Sequence, residues 1–119
     1  MPSKREYVAY LLHKSAHTGD RNKWLVYGAL AAWVDEFCPE DATDAQIINA
    51  GSECGEFLER VYGNSTYSRC ANICMATLFN ATDMKHVKHV TYNKPLPPLD
   101  TLFKTVVGLK KKELATAEG

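Results

Sequence analysis

The chain has no apolar run long enough to cross a bilayer. Its longest apolar stretch, from Trp24 to Val34, is interrupted by Tyr27 and Gly28 and reaches about half the required length. The first residues are charged and lead into no apolar signal core, so the sequence predicts a cytoplasmic protein with no membrane partner. The 119 residues, 45% of them hydrophobic, predict a single domain over residues 1–119.

Positive charge is also missing from the middle of the chain. No Lys or Arg lies between Asp35 and Glu59, whereas the segments on both sides are basic. The eight carboxylates of this segment are Asp35, Glu36, Glu40, Asp41, Asp44, Glu53, Glu56 and Glu59. Such segregated charge is typical of a protein with a charged partner. The other interpretation is that the acidic segment folds against the basic ones as a solvated face.

Signatures of catalysis are absent as well. The sequence contains no Gly-x-Ser-x-Gly elbow and no glycine-rich phosphate loop. Its four cysteines lack zinc-finger spacing, and we expect them to be reduced thiols, mostly in the core. They are Cys38, Cys54, Cys70 and Cys74. We therefore expect no metal and no cofactor, and a function in binding more than in catalysis.

Helical periodicity predicts a mainly α fold, a compact bundle of about five helices. The predicted helices run from about residue 4 to 15, 21 to 37, 44 to 62, 66 to 80 and 101 to 114. Asp20, Thr43 and Asp100 are suitable N-caps, and Gly63 is a suitable C-terminal stop. The second helix is apolar almost all round, which indicates a central position.

The fourth predicted helix begins after a cap at Ser65. Its apolar spacing predicts a buried face made of Cys70, Ile73, Cys74, Thr77 and Leu78. On the third helix, Gly51 and Gly55 form a small face that allows another helix to come close. Residues 83–98 predict an extended arm or linker, with a short β element near 86–92, and residues 116–119 predict a frayed tail.

Residues 51–92 resemble the helix-turn-helix and wing of winged-helix DNA-binding domains. Two helices joined by a glycine-containing turn, the second opening with hydroxyls and an arginine, are typical of a recognition helix. An ordinary αα-hairpin has the same pattern. The nucleic-acid contacts expected from the helix and from a basic arm are Thr66, Ser68, Arg69, Asn72, Lys85, Lys88 and Lys94. The protein would then bind nucleic acid or a nucleoprotein complex, as a transcription regulator or a phage-type host-interaction protein.

An alternative is a protein-interaction module or inhibitor that uses the acidic surface 35–59. Its contacts would be Glu53, Glu56 and Glu59 against a basic protein partner. Tyrosines outside the clearest apolar stripes support an interface, because tyrosine is enriched at interface hot spots. These are Tyr7, Tyr62, Tyr67 and Tyr92. Surplus apolar residues on the first and last helices indicate a homodimer.

A second alternative comes from the string Ser52-Glu53-Cys54-Gly55-Glu56-Phe57-Leu58. It resembles the first carboxylate motif of the MazG-type nucleotide pyrophosphohydrolases, which are all-α enzymes. Carboxylates three residues apart share a helix face and can hold Mg²⁺. The family's second acidic pair belongs on the next helix, and residues 67–80 contain no acid. The resemblance therefore implies a degenerate relative of these Mg²⁺-dependent enzymes.

Overall fold

A computed structural model describes residues 4–76 and 100–118, and these residues form five α-helices without a strand. The helices are α1 (Lys4–His17), α2 (Arg21–Phe37), α3 (Asp44–Tyr62), α4 (Ser65–Ala76) and α5 (Thr101–Glu118). The predicted mainly α bundle of about five helices is confirmed. The arm expected at 83–98 and the β element near 86–92 lie outside the described residues. Helix α5 includes residues 116–118, which the sequence assigned to a tail.

Side chains cap α2 and α3 at the predicted positions. Asp20 accepts hydrogen bonds from the backbone N–H groups of Asn22 and Lys23 at 2.8 and 3.1 Å, which starts α2. Thr43 forms a reciprocal capping box with Gln46 at the start of α3, with bonds of 3.2 and 2.8 Å. Each cap satisfies N–H groups that the first helical turn leaves without an intrahelical partner.

In the connection between α3 and α4, one predicted helix end is confirmed and the other is corrected. Gly63 ends α3 in the left-handed region with a φ of 66°, where glycine has no steric penalty. The cap of α4 is Asn64 and not Ser65. The Asn64 side chain accepts from the N–H of Thr66 at 2.9 Å, and Ser65 is already the first helical residue. Asp100 caps α5 as predicted.

Helix α2 is the centre of the fold and packs against each of the other four helices. Its residues Leu30 and Val34 are fully buried, as its all-round apolar sequence predicts. The Trp33 ring lies 5.0 Å from Phe37 and 5.5 Å from Phe57, measured between ring centroids. Full burial of an aliphatic or aromatic side chain contributes about 1.5–3 kcal/mol, so α2 supplies much of the core stability.

Helix α1 is fixed to the connection between α2 and α3 by two polar side chains. The Lys4 ammonium is buried and donates to the Cys38 carbonyl at 3.0 Å and to Glu40 at 3.3 Å. The Tyr7 hydroxyl donates to the Asp44 carboxylate at 2.6 Å. Tyr7 is fully buried, so the prediction that it lies outside the apolar stripe and is available for an interface is wrong. The error arises because α1 turns this polar-tipped ring inward, where Asp44 satisfies the hydroxyl.

Helices α3 and α4 form a close antiparallel pair. Gly51 faces the Met75 side chain and Gly55 faces Ala71. A later residue of α3 thus contacts an earlier residue of α4, as in an antiparallel pair. A Cβ atom added at Gly55 would lie 2.6 Å from the Ala71 Cβ, which shows that glycine permits this approach. The prediction that the Gly51 and Gly55 face admits another helix is confirmed.

The buried face of α4 differs from the predicted one. Ala71 is fully buried against α3, whereas Ile73, expected in the core, is 60% exposed. The reason is the close backbone approach at Gly55, which leaves room for the alanine methyl group and not for a larger side chain. Of the other predicted members, Cys74 is buried and Cys70 is half-buried, while Thr77 and Leu78 lie outside the described residues.

Candidate interaction surface

Three of the eight carboxylates between Asp35 and Glu59 bond to side chains of the flanking segments. Their partners are Lys111 for Glu36, Lys4 for Glu40 and the Tyr7 hydroxyl for Asp44. This part of the acidic segment folds against the flanking segments. The carboxylates without a side-chain hydrogen bond or ion pair among the described residues are Asp35, Asp41, Glu53, Glu56 and Glu59.

Glu53, Glu56 and Glu59 form one stripe along α3, which we call the acidic stripe. Residues three apart are separated by about 60° around an α-helix, so the three side chains leave the helix within a sector of about 120°. Glu53 and Glu56 are exposed and Glu59 is half-buried, while Cys54 and Leu58 on the opposite side are fully buried. The stripe therefore presents carboxylates to solvent with no cation paired to them in the described part of the chain.

Four of the seven residues predicted to contact nucleic acid lie on α4, and two of these already bond within the hairpin. Ser68 donates to the carbonyl of Ser65 at 3.2 Å. Asn72 accepts from the Ser52 hydroxyl of α3 at 3.2 Å, which holds the two helices together. The three predicted arm residues, Lys85, Lys88 and Lys94, lie outside the described residues.

Thr66 and Arg69 are exposed on the predicted recognition helix, as is Asn72, whose side chain bonds to Ser52. Arg69 is the single basic residue of α4, which has no acidic residue either. In a helix-turn-helix the two helices cross at about 90–120°, whereas α4 runs antiparallel along α3. The described residues thus form the αα-hairpin that shares this sequence pattern, with the acidic stripe on the neighbouring helix.

The carboxylate motif that resembles MazG-type enzymes is only partly matched by the structure. Glu53 and Glu56 do share an exposed face of α3. Helix α4 contacts α3 through Gly51, Gly55 and Ser52, and it carries no Asp or Glu that could complete the site. Among residues 4–76 and 100–118, no group of three His, Cys, Asp or Glu side chains is arranged to hold a metal ion.

A groove lies beside the acidic stripe, between α2, α3 and α5. Its volume is about 420 Å³, and Glu53 belongs both to the stripe and to the groove wall. Other residues that line it are Trp33, Phe37, Asn49, Lys110 and Leu114. The sequence does not predict this groove, because its walls come from three helices and no local pattern joins them. The only local signal is the spacing of Asn49 and Glu53, one helical turn apart.

Lys110 on the α5 wall of the groove is already held within the fold. Its ammonium lies 5.9 Å from the Trp33 ring centroid and 5.6 Å from that of Phe57, as cation–π contacts require. It also donates to Glu113 at 3.3 Å, and Glu113 pairs with Arg60 at 2.8 Å. The hydrogen bond from Arg60 lowers the pKa of Glu113. The Lys110 ammonium is therefore engaged within the fold, by two ring faces and by a carboxylate that it shares with Arg60.

The four cysteines carry free thiols, and Cys38, Cys54 and Cys74 are buried, as expected for reduced thiols mostly in the core. Burial raises the pKa of Cys54 strongly and that of Cys74 to about 12. Because the thiolate is the nucleophilic form, Cys54 and Cys74 are unreactive near neutral pH. They are structural residues.

We expect the free energy of unfolding to fall as the pH rises above about 9. Burial raises the pKa values of Cys54, of Cys74 to about 12 and of Tyr27 to about 12, so the folded state keeps these protons longer than the unfolded chain. Above that pH the unfolded chain binds fewer protons, and stability declines with pH. Urea unfolding at pH 8, 9.5 and 11 measures the decline. The double variant Cys54→Ala/Cys74→Ala should show a shallower decline, and an unchanged slope would refute this explanation.

Comparisons of the chain with protein-family models, with curated proteins and with solved structures give no match. Within the described residues, none of the five helices has both the length and the apolarity needed to span a membrane. The observations that bear on function are thus the acidic stripe, the groove beside it and the exposed face of α4.

Proposed function

We propose that this protein is a small non-enzymatic binding protein that contacts a basic protein partner through the acidic stripe of Glu53, Glu56 and Glu59. One observation carries the proposal. These carboxylates share one face of α3 and have no bonded cation among residues 4–76 and 100–118, while Glu36, Glu40 and Asp44 bond within the fold. Like charges one turn apart destabilise a helix by about 0.2–0.5 kcal/mol per pair, and a basic partner would relieve this repulsion.

The expected interaction is electrostatic in character. Exposed ion pairs contribute about 0.2–1 kcal/mol each, so three carboxylates supply orientation and on-rate more than high affinity. Salt screens such pairs over a Debye length of about 8 Å at physiological ionic strength. Binding through the stripe should therefore weaken as salt is raised, and apolar contacts next to the stripe would have to supply the remaining affinity.

Neutralising the exposed part of the stripe with Glu53→Gln/Glu56→Gln is expected to weaken binding to a fluorescein-labelled Lys/Arg-rich peptide about tenfold, since each tenfold loss corresponds to about 1.4 kcal/mol. Fluorescence anisotropy at low salt measures the affinity. The matched control Asp35→Asn/Asp41→Asn makes the same change in net charge at exposed residues off the stripe. It should bind within about twofold of the parent chain by the same conversion. Equal losses in both variants would mean that net charge, and not the stripe, attracts the peptide.

Nucleic-acid binding is the second candidate function. It is supported by the exposed Arg69 and Thr66 at the start of α4, and by the five basic residues against one acid, Asp83, in the sequence from 60 to 94. Ser68 and Asn72 support it less, because their polar groups already bond within the hairpin. The nearby acidic stripe would also repel a phosphate backbone. The protein partner is therefore the better-supported proposal.

A binding protein of this kind would act as a regulator or inhibitor by occupying a surface of its partner. The proposal places it in the cytoplasm. The four free thiols support that location, because disulfides are rare in the reducing cytosol and thiols there stay unpaired.

A further inference from the structure

We infer that the groove beside Glu53 receives an arginine side chain of the basic partner. This inference rests on the proposed function and specifies which chemical group the partner inserts. The groove and the acidic stripe are continuous, because Glu53 lines the first and belongs to the second. A partner that lies along the stripe therefore passes over the groove opening.

The groove offers both parts of the environment that a long cationic side chain requires. Phe37 is half-buried and Leu114 is 42% exposed, so the groove provides apolar surface for an aliphatic stem. Asn49 and Glu53 lie one turn apart on α3 and are both exposed. Their amide oxygen and carboxylate are therefore adjacent acceptors for a charged head group at the rim.

The groove is large enough for a long cationic side chain, and the chemistry of its lining favours arginine over lysine. A volume of about 420 Å³ falls within the range of about 300–1,000 Å³ that is typical of ligand sites, and it accommodates a side chain with its neighbouring backbone. The guanidinium is planar, bonds a carboxylate through two parallel N–H groups and stacks on aromatic rings. It is also more weakly hydrated than an ammonium group, which makes partial burial beside Phe37 less costly.

Lys110 on the opposite wall is already engaged within the fold. Its ammonium is engaged by the ring faces of Trp33 and Phe57 and by the carboxylate of Glu113. Its side chain is only 23% exposed, whereas Glu53 is exposed and pairs with no cation in the described part of the chain. The available negative charge of the groove is therefore that of Glu53.

The test is an NMR titration of the full chain with the peptide acetyl-Gly-Arg-Gly-amide. We expect it to shift the indole N–H signal of Trp33 and the backbone amide signals of Asn49 and Glu53. The matching citrulline peptide has the same shape without the charge and should cause no shift at the same concentration. Equal shifts with both peptides, or none with arginine, would overturn the inference.

Two single variants locate the site within the stripe. Glu53→Gln should weaken binding of the arginine peptide about fivefold, the upper end of what one exposed ion pair contributes. Glu56→Gln removes the same charge from the same helix outside the groove lining and should change it less than twofold. A longer Lys/Arg-rich peptide separates the groove from the stripe. If both variants bind that peptide equally weakly and the arginine peptide causes no shift, the stripe binds its partner without using the groove. If neither peptide binds the parent chain, the proposed function itself is wrong.

Discussion

Trp33→Ala is expected to lower the free energy of unfolding by about 3–5 kcal/mol. The ring is 2% exposed and contacts Phe37 and Phe57, so it joins the central helix α2 to α3. It also lies beneath the Lys110 ammonium of α5. Truncation leaves a cavity at the point where three helices meet, and it removes the transfer energy of a large aromatic side chain. Domains of this size have a total stability of about 5–15 kcal/mol, so the loss is a large fraction.

Urea denaturation followed by circular dichroism measures this effect. Trp24→Ala is the matched control, because Trp24 is half-buried near the other end of α2, with its ring 4.9 Å from that of Phe103. Truncation there opens toward solvent, and the expected loss is about half that at Trp33, since less transfer energy is involved. A Trp33→Ala variant that is no less stable than the Trp24→Ala variant would contradict the placement of Trp33 in the core between α2 and α3.

Gly55→Ala is expected to destabilise the protein by about 1–3 kcal/mol. The same exchange at an unconstrained helix position stabilises a protein, because glycine loses more backbone entropy on folding. At Gly55 the new methyl group would lie 2.6 Å from the Ala71 Cβ and 3.3 Å from the Ser68 Cα. Neither atom belongs to the end of a flexible side chain, so the helices must separate.

Two further variants test this explanation. Gly108→Ala in α5 is the matched control, since a Cβ there meets no atom within 4 Å, and it should stabilise by about 0.5–1 kcal/mol. Ala71→Gly, introduced together with Gly55→Ala, removes the opposing methyl group. The double variant should be more stable than the sum of the single effects predicts, because the two sites are in contact. A stabilising Gly55→Ala would show that α3 and α4 do not approach this closely.

Local chemistry allowed most of the helix bounds to be predicted. The caps at Asp20, Thr43 and Asp100 and the stop at Gly63 depend only on residues within one turn, and all four are confirmed. The central position of α2 was predictable for a related reason: a helix that is apolar all round has no face suited to water.

Features that depend on how helices meet could not be predicted in the same way. Hydrophobic spacing placed Ile73 in the core, but the contact at Gly55 selects Ala71 for the buried face. Ser68 and Asn72 look available in the sequence and are bonded in the hairpin. The acidic stripe was predictable from spacing alone. The groove beside it exists only because α5 packs against α2 and contacts α3 through the side chains of Lys110 and Glu113.

The most direct test of the acidic stripe compares two labelled probes on the same protein. Fluorescence anisotropy would follow a Lys/Arg-rich peptide and a generic DNA duplex, each at about 50 and 200 mM salt, a range over which phosphate contacts weaken strongly. We expect the peptide to bind at the lower salt, to weaken at the higher salt and to require Glu53 and Glu56, while the duplex shows no binding. Salt-sensitive binding of the duplex, with none of the peptide, would contradict the proposal and assign the function to the basic region that includes Arg69.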